Sequence, residues 1–262
     1  MTDTTSSPHT VSRLTVRVRG ARLAFGGRTL FDGLDFDVAG GQWTCVLGPS
    51  GVGKTSLLRL IAGLTSPKTG SETEGTVSTD DGNPVFHRVA YMAQQDLLAP
   101  WLSTLDNVLL GSRLRGEPPD RDRAHALLEK VGLGANMSDL PAALSGGMRQ
   151  RAALARTLME DRPIVLMDEP FSALDAITRV RLQDLAAENL SGKTVLLVTH
   201  DPLEALRLGH RIYVLAARPA TFDRVIEPTG APPRNLHDST VLGEQGDLLD
   251  QLARADTEGL VS

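Results

Sequence analysis

The stretch GPSGVGKTS, residues 48–56, decides the fold of this chain. It follows the apolar run WTCVL, which is typical of a buried strand, and precedes SLLRLIAGL, which is typical of an apolar helix. The pattern G-x-x-x-x-G-K-[ST] between a strand and a helix predicts a nest of backbone amides that binds phosphate oxygens. A glycine turn that happens to hold a lysine and a threonine is the alternative, and the surrounding strand and helix disfavour it.

The residue types of this loop suit phosphate chemistry. We expect glycine at 48, 51 and 53 because a Cβ there would obstruct the loop or its approach to phosphate. Lys54 supplies a point charge for the outer phosphates, and the hydroxyl of Thr55 is a ligand for magnesium. The loop therefore predicts a nucleotide site that needs a divalent cation.

Carboxylates and a histidine follow two further apolar runs. In IVLMDEP, Asp168 and Glu169 stand at the C-terminal end of a buried strand, where ligands bind in open parallel sheets. We expect Asp168 to hold magnesium through water and Glu169 to activate the attacking water as general base. His200 closes the run LLVTH on the same side of the sheet, where it could contact the terminal phosphate. A structural or solvated histidine is the alternative for His200.

Composition excludes several classes of protein. With 262 residues and 41% hydrophobic content, the chain can bury one large core or two modest ones. Its 27 basic and 32 acidic residues give a net charge of -5, which argues against nucleic acid as a general partner. The lone Cys45 fits a reducing compartment. The polar N-terminus and the lack of a long apolar run predict that any membrane role is peripheral.

The pattern along the chain predicts an α/β architecture. Residues 1–10 are expected to be a disordered tail, and 11–230 a single domain that begins with short alternating strands. Helical periodicity from about 96 to 160 indicates an inserted helical subdomain. The buried runs IVLM and TVLLV, separated by a helix, indicate a mostly parallel sheet. Residues 231–262 are expected to form a short C-terminal tail that ends in the amphipathic stretch DLLDQLARA.

A second anion-binding surface is predicted in LSGGMRQRAALART, residues 144–157. Ser145, Gly146 and Gly147 begin a helix there, so their amides are exposed. Two incomplete phosphate surfaces in one chain suggest a dimer that closes around nucleotide. With these features together, residues 13–225 resemble the ATP-binding subunits of ABC transporters.

The resemblance rests on six motifs in order. GPSGVGKT resembles the Walker A loop, LSGGMRQR the signature, IVLMDEP the Walker B strand and SALD the D-loop. His200 corresponds to the switch histidine, and Gln94 to the Q-loop glutamine, a role for which Gln95 also competes. Phe25 corresponds to the aromatic that stacks on adenine, although a core phenylalanine beside a turn is the alternative. The family commonly has an acidic residue where this chain has His210, which puts a local salt bridge in doubt.

The resemblance implies a P-loop NTPase core with a mostly parallel sheet, an N-terminal antiparallel β subdomain and a helical subdomain. It implies an ATPase with ATP and Mg²⁺ as cofactors, in which Glu169, His200, Lys54 and Gln94 are catalytic. The implied metal ligands are Thr55, Gln94 and Asp168. The implied ATP-binding residues are Phe25, Gly48, Pro49, Ser50, Gly51, Val52, Gly53, Lys54, Thr55, Ser56, Ser145, Gly146, Gly147 and Asp175.

The resemblance also implies partners. The run LLAPW, DAITR after the D-loop and AARPA near the end are similar to the importer group for nitrate, sulfonates, taurine and hydroxymethylpyrimidine. MAQQDLLAPWLSTLDNVLLG is most similar to the hydroxymethylpyrimidine type. We therefore expect a homodimer at the cytoplasmic face of the inner membrane, with separate permease subunits and a substrate-binding protein.

Two functions of other classes compete with import. A soluble ABC ATPase that acts on DNA or ribosomes would commonly carry paired cassettes, coiled-coil insertions or basic extensions, and none is visible. A nucleotide-binding module without turnover is disfavoured by Glu169. Around Trp101, the segment is expected to meet a helix of the membrane subunit, or alternatively to pack the helical block onto the core.

Overall fold

A six-stranded sheet in the order β5-β6-β7-β3-β8-β9 forms the centre of the fold. Its strands are β3 (Trp43–Leu47), β5 (Val89–Met92), β6 (Ile164–Asp168), β7 (Thr194–Val198), β8 (Arg211–Ala216) and β9 (Thr221–Phe222). The first five strands of that order are parallel, and β9 pairs antiparallel with β8. The structure, a computed structural model, describes residues 13–65, 71–217 and 219–261, with side chains up to 255.

A second sheet lies at the N-terminal side and has three antiparallel strands in the order β2-β1-β4. They are β1 (Val16–Phe25), β2 (Arg28–Val38) and β4 (Ser71–Thr79). Gly26 and Gly27 form the two-residue turn between β1 and β2, with φ of 55° and 80°. These positive φ angles match the twist of a tight hairpin and favour glycine. The turn places Phe25 at the open end of this sheet.

The continuous apolar strands of the large sheet are buried on both faces. Cys45 and Leu47 of β3 pack into a core with the helical side of the molecule. Val46, between them, faces the opposite core, which includes the antiparallel sheet and the first helix. Side chains alternate across a strand, so a strand covered on both faces is apolar at nearly every position.

Helices surround this sheet. They are α1 (Lys54–Ile61), α2 (Thr104–Val108), α3 (Leu110–Leu114), α4 (Arg121–Lys130), α5 (Gly146–Met159), α6 (Ala176–Asn189), α7 (Pro202–Leu208) and α8 (Ser239–Val261). Side-chain caps define several starts: Ser145 accepts a hydrogen bond from the Met148 amide, and Asp175 accepts one from the Thr178 amide. The helices α2 to α5 form the helical block. Within the part of the chain that the structure describes, no helix has the length and apolar character to cross a membrane.

The C-terminal segment is more ordered than a tail. The nine-residue stretch DLLDQLARA is part of α8, which has 23 residues. Val241, Leu248 and Ala255 of α8 are buried, and the helix packs on α7 and β8. The predicted division of the chain at residue 230 stays a prediction, and the predicted tail 1–10 lies outside the described residues.

Candidate active site

The loop between β3 and α1 depends on backbone conformations that favour glycine. Gly51 and Gly53 have φ of 78° and 118°, which side chains rarely adopt. A Cβ on Gly53 would press against Leu30 and Phe31 at 3.0–3.1 Å, whereas a Cβ on Gly51 would meet nothing within 4 Å. The loop therefore rests on β2 at Gly53 and presents open space at Gly51, as a phosphate cradle requires.

Lys54 is folded back into this loop. Its Nζ donates hydrogen bonds to the carbonyl oxygens of Gly48 at 2.8 Å and Pro49 at 2.9 Å. Burial lowers the pKa of Lys54, and the nearby carboxylates of Glu169 and Asp168 act against that shift. The Lys54 ammonium thus lies within the phosphate loop. Burial disfavours its positive charge there, and an anionic ligand would stabilise that charge.

The end of β6 meets the start of α1. The hydroxyl of Thr55 donates to Asp168 Oδ2 at 2.7 Å. Burial raises the pKa of Asp168, and the carboxylate of Glu169 raises it further, against the Thr55 hydrogen bond and Lys54. A hydroxyl, a carboxylate and the amide oxygen of Gln94 are hard oxygen donors on one cleft, and this donor chemistry fits magnesium.

One cleft collects most of the predicted residues. Its lining consists of Phe25, Leu30, Ser50, Gly51, Gly53, Lys54, Thr55, Ser56, Gln94, Asp168 and Glu169. Among the described residues of this lining the glutamine is Gln94, not Gln95. Phe25 is 40% exposed at the rim, so it is not a core phenylalanine. Val52 is buried, and its side chain packs beside Gly48.

Glu169 is held by its backbone and faces a histidine. Its φ of 49° is rare for a residue with a side chain, and such strain persists only where neighbours fix it. The amide of Glu169 donates to the Val198 carbonyl at 2.8 Å. Its carboxylate Oε1 lies 3.1 Å from Nδ1 of His200. The structure therefore brings the predicted base and the switch histidine together at the ends of β6 and β7.

The sequence did not identify Gln150 as a functional residue. Its Nε2 donates to the backbone carbonyl of Glu169 at 2.8 Å, and the Ser172 hydroxyl donates to the same oxygen at 3.0 Å. Gln150 lies inside the quoted stretch LSGGMRQR, so the only signal was its place in that motif. The bond ties helix α5 to the strained residue at the end of β6.

A second surface holds the predicted ATP-binding residues of the signature and the D-loop. Ser145, Gly146, Gly147 and Asp175 are not part of the cleft lining described above. They lie at the starts of α5 and α6, and a Cβ on Gly147 would come within 3.2 Å of the Ala173 carbonyl. The residues predicted to bind ATP therefore lie on two surfaces of the chain.

The loop before α2 is exposed. Trp101 is 76% exposed and Leu97 is 61% exposed, so Trp101 does not pack the helical block onto the core. The guanidinium of Arg156 donates to the carbonyls of Asp96 at 2.6 Å and Leu97 at 2.8 Å, which fixes this loop on α5. The exposed apolar side chains project from a loop with a defined backbone.

Comparison with known proteins gives the family of this chain. The family described as ABC transporter matches residues 31–172 of the chain. This chain belongs to the ABC transporter family. An ABC transporter ATP-binding protein of Haemophilus influenzae is 46% identical over 245 residues, covering 90% of this chain and 98% of that protein. The Aliphatic sulfonates import ATP-binding protein SsuB 1 of Rhodococcus jostii is 44% identical over 230 residues, covering 87% and 89%.

A solved structure gives the same fold for this ABC protein. It is the dimeric structure of a post-hydrolysis state of an ATP-binding cassette bound to ADP and Pi, with a TM-score of 0.71 and 30% identity. The match covers 82% of this chain and 100% of that chain. The predicted fold class, the family and the assignment as an ATPase are confirmed. The individual site residues stay predictions, supported by the geometry above.

Proposed function

We propose that this ABC protein binds ATP with magnesium, hydrolyses it within a dimer of two copies, and so drives the uptake of a small solute through a separate permease. One observation carries the proposal. The Thr55 hydroxyl donates to Asp168 at 2.7 Å, so the phosphate loop and the predicted metal carboxylate meet in one cleft, with Glu169 next in the chain.

Different residues of this chain would bind the nucleotide, hold magnesium and activate the attacking water. The loop amides and Lys54 would bind the phosphates, and Phe25 would stack on the base. Thr55, Gln94 and Asp168 would hold magnesium, which supplies charge neutralisation on the phosphate oxygens when bound. Glu169 would take the proton of the attacking water, and His200, 3.1 Å away, would keep its carboxylate oriented.

The second copy is needed because the cleft lacks the signature amides. Ser145, Gly146, Gly147 and Asp175 would complete the site of the other copy across the interface. The dimeric form of the solved cassette supports this arrangement. ATP bound between the copies would favour the closed dimer over the open one, and that difference in free energy is what a transporter can use.

The partners and the cargo come from the importer relatives. We infer a peripheral place at the cytoplasmic face of the membrane, on permease subunits, with a substrate-binding protein in the same complex. The exposed Leu97 and Trp101 give the permease an apolar contact. The name of the Rhodococcus jostii relative favours an aliphatic sulfonate as cargo over a nitrate, taurine or pyrimidine compound.

The Glu169→Gln variant tests hydrolysis. We expect it to bind ATP with unchanged affinity and to lose about 10²- to 10⁴-fold in kcat, the contribution of a proton-transfer residue. It should accumulate as an ATP-dependent dimer, seen by size-exclusion chromatography with light scattering. Glu188→Gln, on the exposed side of α6, is the matched control. Turnover at the wild-type rate in Glu169→Gln would remove Glu169 from the role of base.

Co-purification tests transport. The C-terminally tagged protein, extracted from native membranes in mild detergent, should bring a multi-span permease that mass spectrometry identifies. The substrate-binding protein of that system should then bind alkanesulfonates in calorimetry. Recovery only from the soluble fraction, with ribosomal or DNA-associated proteins, would retain the ATPase and reject the importer.

A further inference from the structure

Arg234 is a buried guanidinium whose hydrogen bonds to the backbone use both terminal nitrogens and Nε. The residue is only 5% exposed. Nη1 donates to the carbonyls of Leu206 at 2.8 Å and Gly209 at 2.7 Å. Nη2 donates to those of Pro228 at 2.8 Å and Gly230 at 2.7 Å, and Nε donates to that of Thr229 at 2.7 Å. The five N–H donors of the side chain are thereby matched with five carbonyls.

The five carbonyls belong to two different pieces of backbone. Those of residues 206 and 209 lie at the C-terminal end of α7, and those of residues 228–230 belong to the chain that leads to α8. A positive charge at a helix C-terminus is favourable, and carbonyls left unpaired in the interior are costly. Arg234 therefore joins the C-terminal segment to the end of α7.

Arg207 of α7 adds two further hydrogen bonds between α7 and residue 234. The amide of Arg234 donates to the Arg207 carbonyl at 2.9 Å, and Nη1 of Arg207 donates to the Arg234 carbonyl at 2.7 Å. Nε of Arg207 donates to the side chain of Gln183 at 3.0 Å, and Gln183 donates to Glu204 at 3.1 Å. These bonds join α7 to α6 as well as to the C-terminal segment.

The other end of α7 is close to His200, because the helix begins at Pro202 with Asp201 as its cap. Asp201 caps the helix by accepting from the Leu203 amide at 2.9 Å, and it pairs with Arg179 at 3.3 Å. The helix has seven residues, a length of about 10 Å, so a shift at one end is transmitted to the other. His200, which lies 3.1 Å from Glu169, is therefore joined through Asp201 to the helix that Arg234 contacts.

We propose that Arg234 is a positioning residue for the ATPase site, which acts through α7 on the placement of His200 beside Glu169. The inference rests on the proposed function for the role of His200. The C-terminal segment is then part of the catalytic unit, because it supplies the anchor for α7. Loss of the anchor should slow turnover and leave the phosphate loop, which is built on β3 and α1, able to bind ATP.

The experiment compares Arg234→Lys with the wild-type full-length chain. Lysine keeps the charge but has three donors for five carbonyls. We expect kcat to fall about tenfold with an unchanged dissociation constant for ATP, since a displacement of about 1 Å can cost up to about 10²-fold. Arg254→Lys, an exposed arginine on α8, is the matched control and should change neither quantity.

Histidine signals separate positioning from a general loss of structure. In protein labelled at histidine, the imidazole resonances of His200, assigned from their loss in His200→Asn, should shift in Arg234→Lys. Those of His87 and His125, in the loop before β5 and on α4, should stay in place. Unchanged His200 resonances would overturn the inference, whether or not kcat falls.

The design also covers a variant that does not fold and a wild-type chain that does not hydrolyse ATP. If Arg234→Lys does not fold, Arg207→Lys weakens the second tie between α7 and residue 234 and is measured in the same way. If the wild-type chain does not hydrolyse ATP, the proposed function fails, and the His200 resonances still report whether Arg234 places that side chain.

Discussion

At the scale of single residues, Glu204 shows how burial sets protonation. It is 4% exposed on α7, between Gln183 of α6 and the end of β7. Burial raises the pKa of Glu204 to about 7, the nearby Asp201 adds to the shift, and hydrogen bonds from Thr199 and Gln183 and the charge of Arg179 oppose it. The native carboxyl therefore keeps its proton at pH values where an unfolded chain has lost it.

The sign of the resulting pH dependence follows from this difference. Between the ordinary pKa of 4.5 and about 7, Glu204 holds its proton more in the native state than in the unfolded state, so its contribution to stability falls as pH rises. The full cost above pH 7 is about 3 kcal/mol, from about 1.4 kcal/mol for each pKa unit. Glu204→Gln removes the titration. Its free energy of unfolding relative to wild type should therefore increase across this window and level off above it.

Urea unfolding at a series of pH values measures that difference. Glu129→Gln, on the exposed side of α4, is measured in parallel to account for the loss of one carboxylate. A difference between Glu204→Gln and wild type that stays constant from pH 5 to pH 8 would contradict the burial argument.

The positions of site residues could be predicted where they depend on local sequence. Lys54, Thr55 and Asp168 lie in short motifs whose strand and helix context is visible, and the structure places them in one cleft. Gln150 and Arg234 act on backbone carbonyls 19 and up to 28 residues away. Any carbonyl can accept such bonds, so the sequence carries no sign of which one does.

At the scale of elements, the predictions were most accurate where apolar runs are bounded by turns. WTCVL and TVLLV coincide with β3 and β7. Within the predicted helical subdomain, the helical stretch after Ser103 is instead divided between α2 and α3, with Leu109 between them. Element boundaries depend on caps and on packing more than on periodicity, which explains the error.

The C-terminal helix shows how packing can outweigh propensity. Its first half, STVLGEQG, holds Gly243 and Gly246, each of which costs about 1 kcal/mol in a helix relative to alanine. The sequence therefore indicates a helix only over the later stretch DLLDQLARA. Burial of Val241 and Leu248 against α7 and β8 compensates for the glycines, and this contact is not visible in the sequence.

At the scale of the whole molecule, the decisive feature is that the residues predicted to bind ATP lie on two surfaces of one chain. The sequence predicted both surfaces, but only the structure shows that the signature residues are absent from the described lining of the cleft. Ser145 is exposed at the start of α5, so a large cation there would not disturb the core. Its effect should appear only when two copies meet.

Ser145→Arg tests this shared site. We expect the monomer to bind ATP as the wild type does, because the cleft is intact, and hydrolysis to fall by about 10²-fold or more, as when one anion-stabilising donor is removed. In the Glu169→Gln background it should also prevent the ATP-dependent dimer. Ser191→Arg, exposed in the loop before β7, is the control for a new surface cation. Wild-type hydrolysis by Ser145→Arg would mean that one chain completes its own site, and the free energy of dimer closure could then not drive transport.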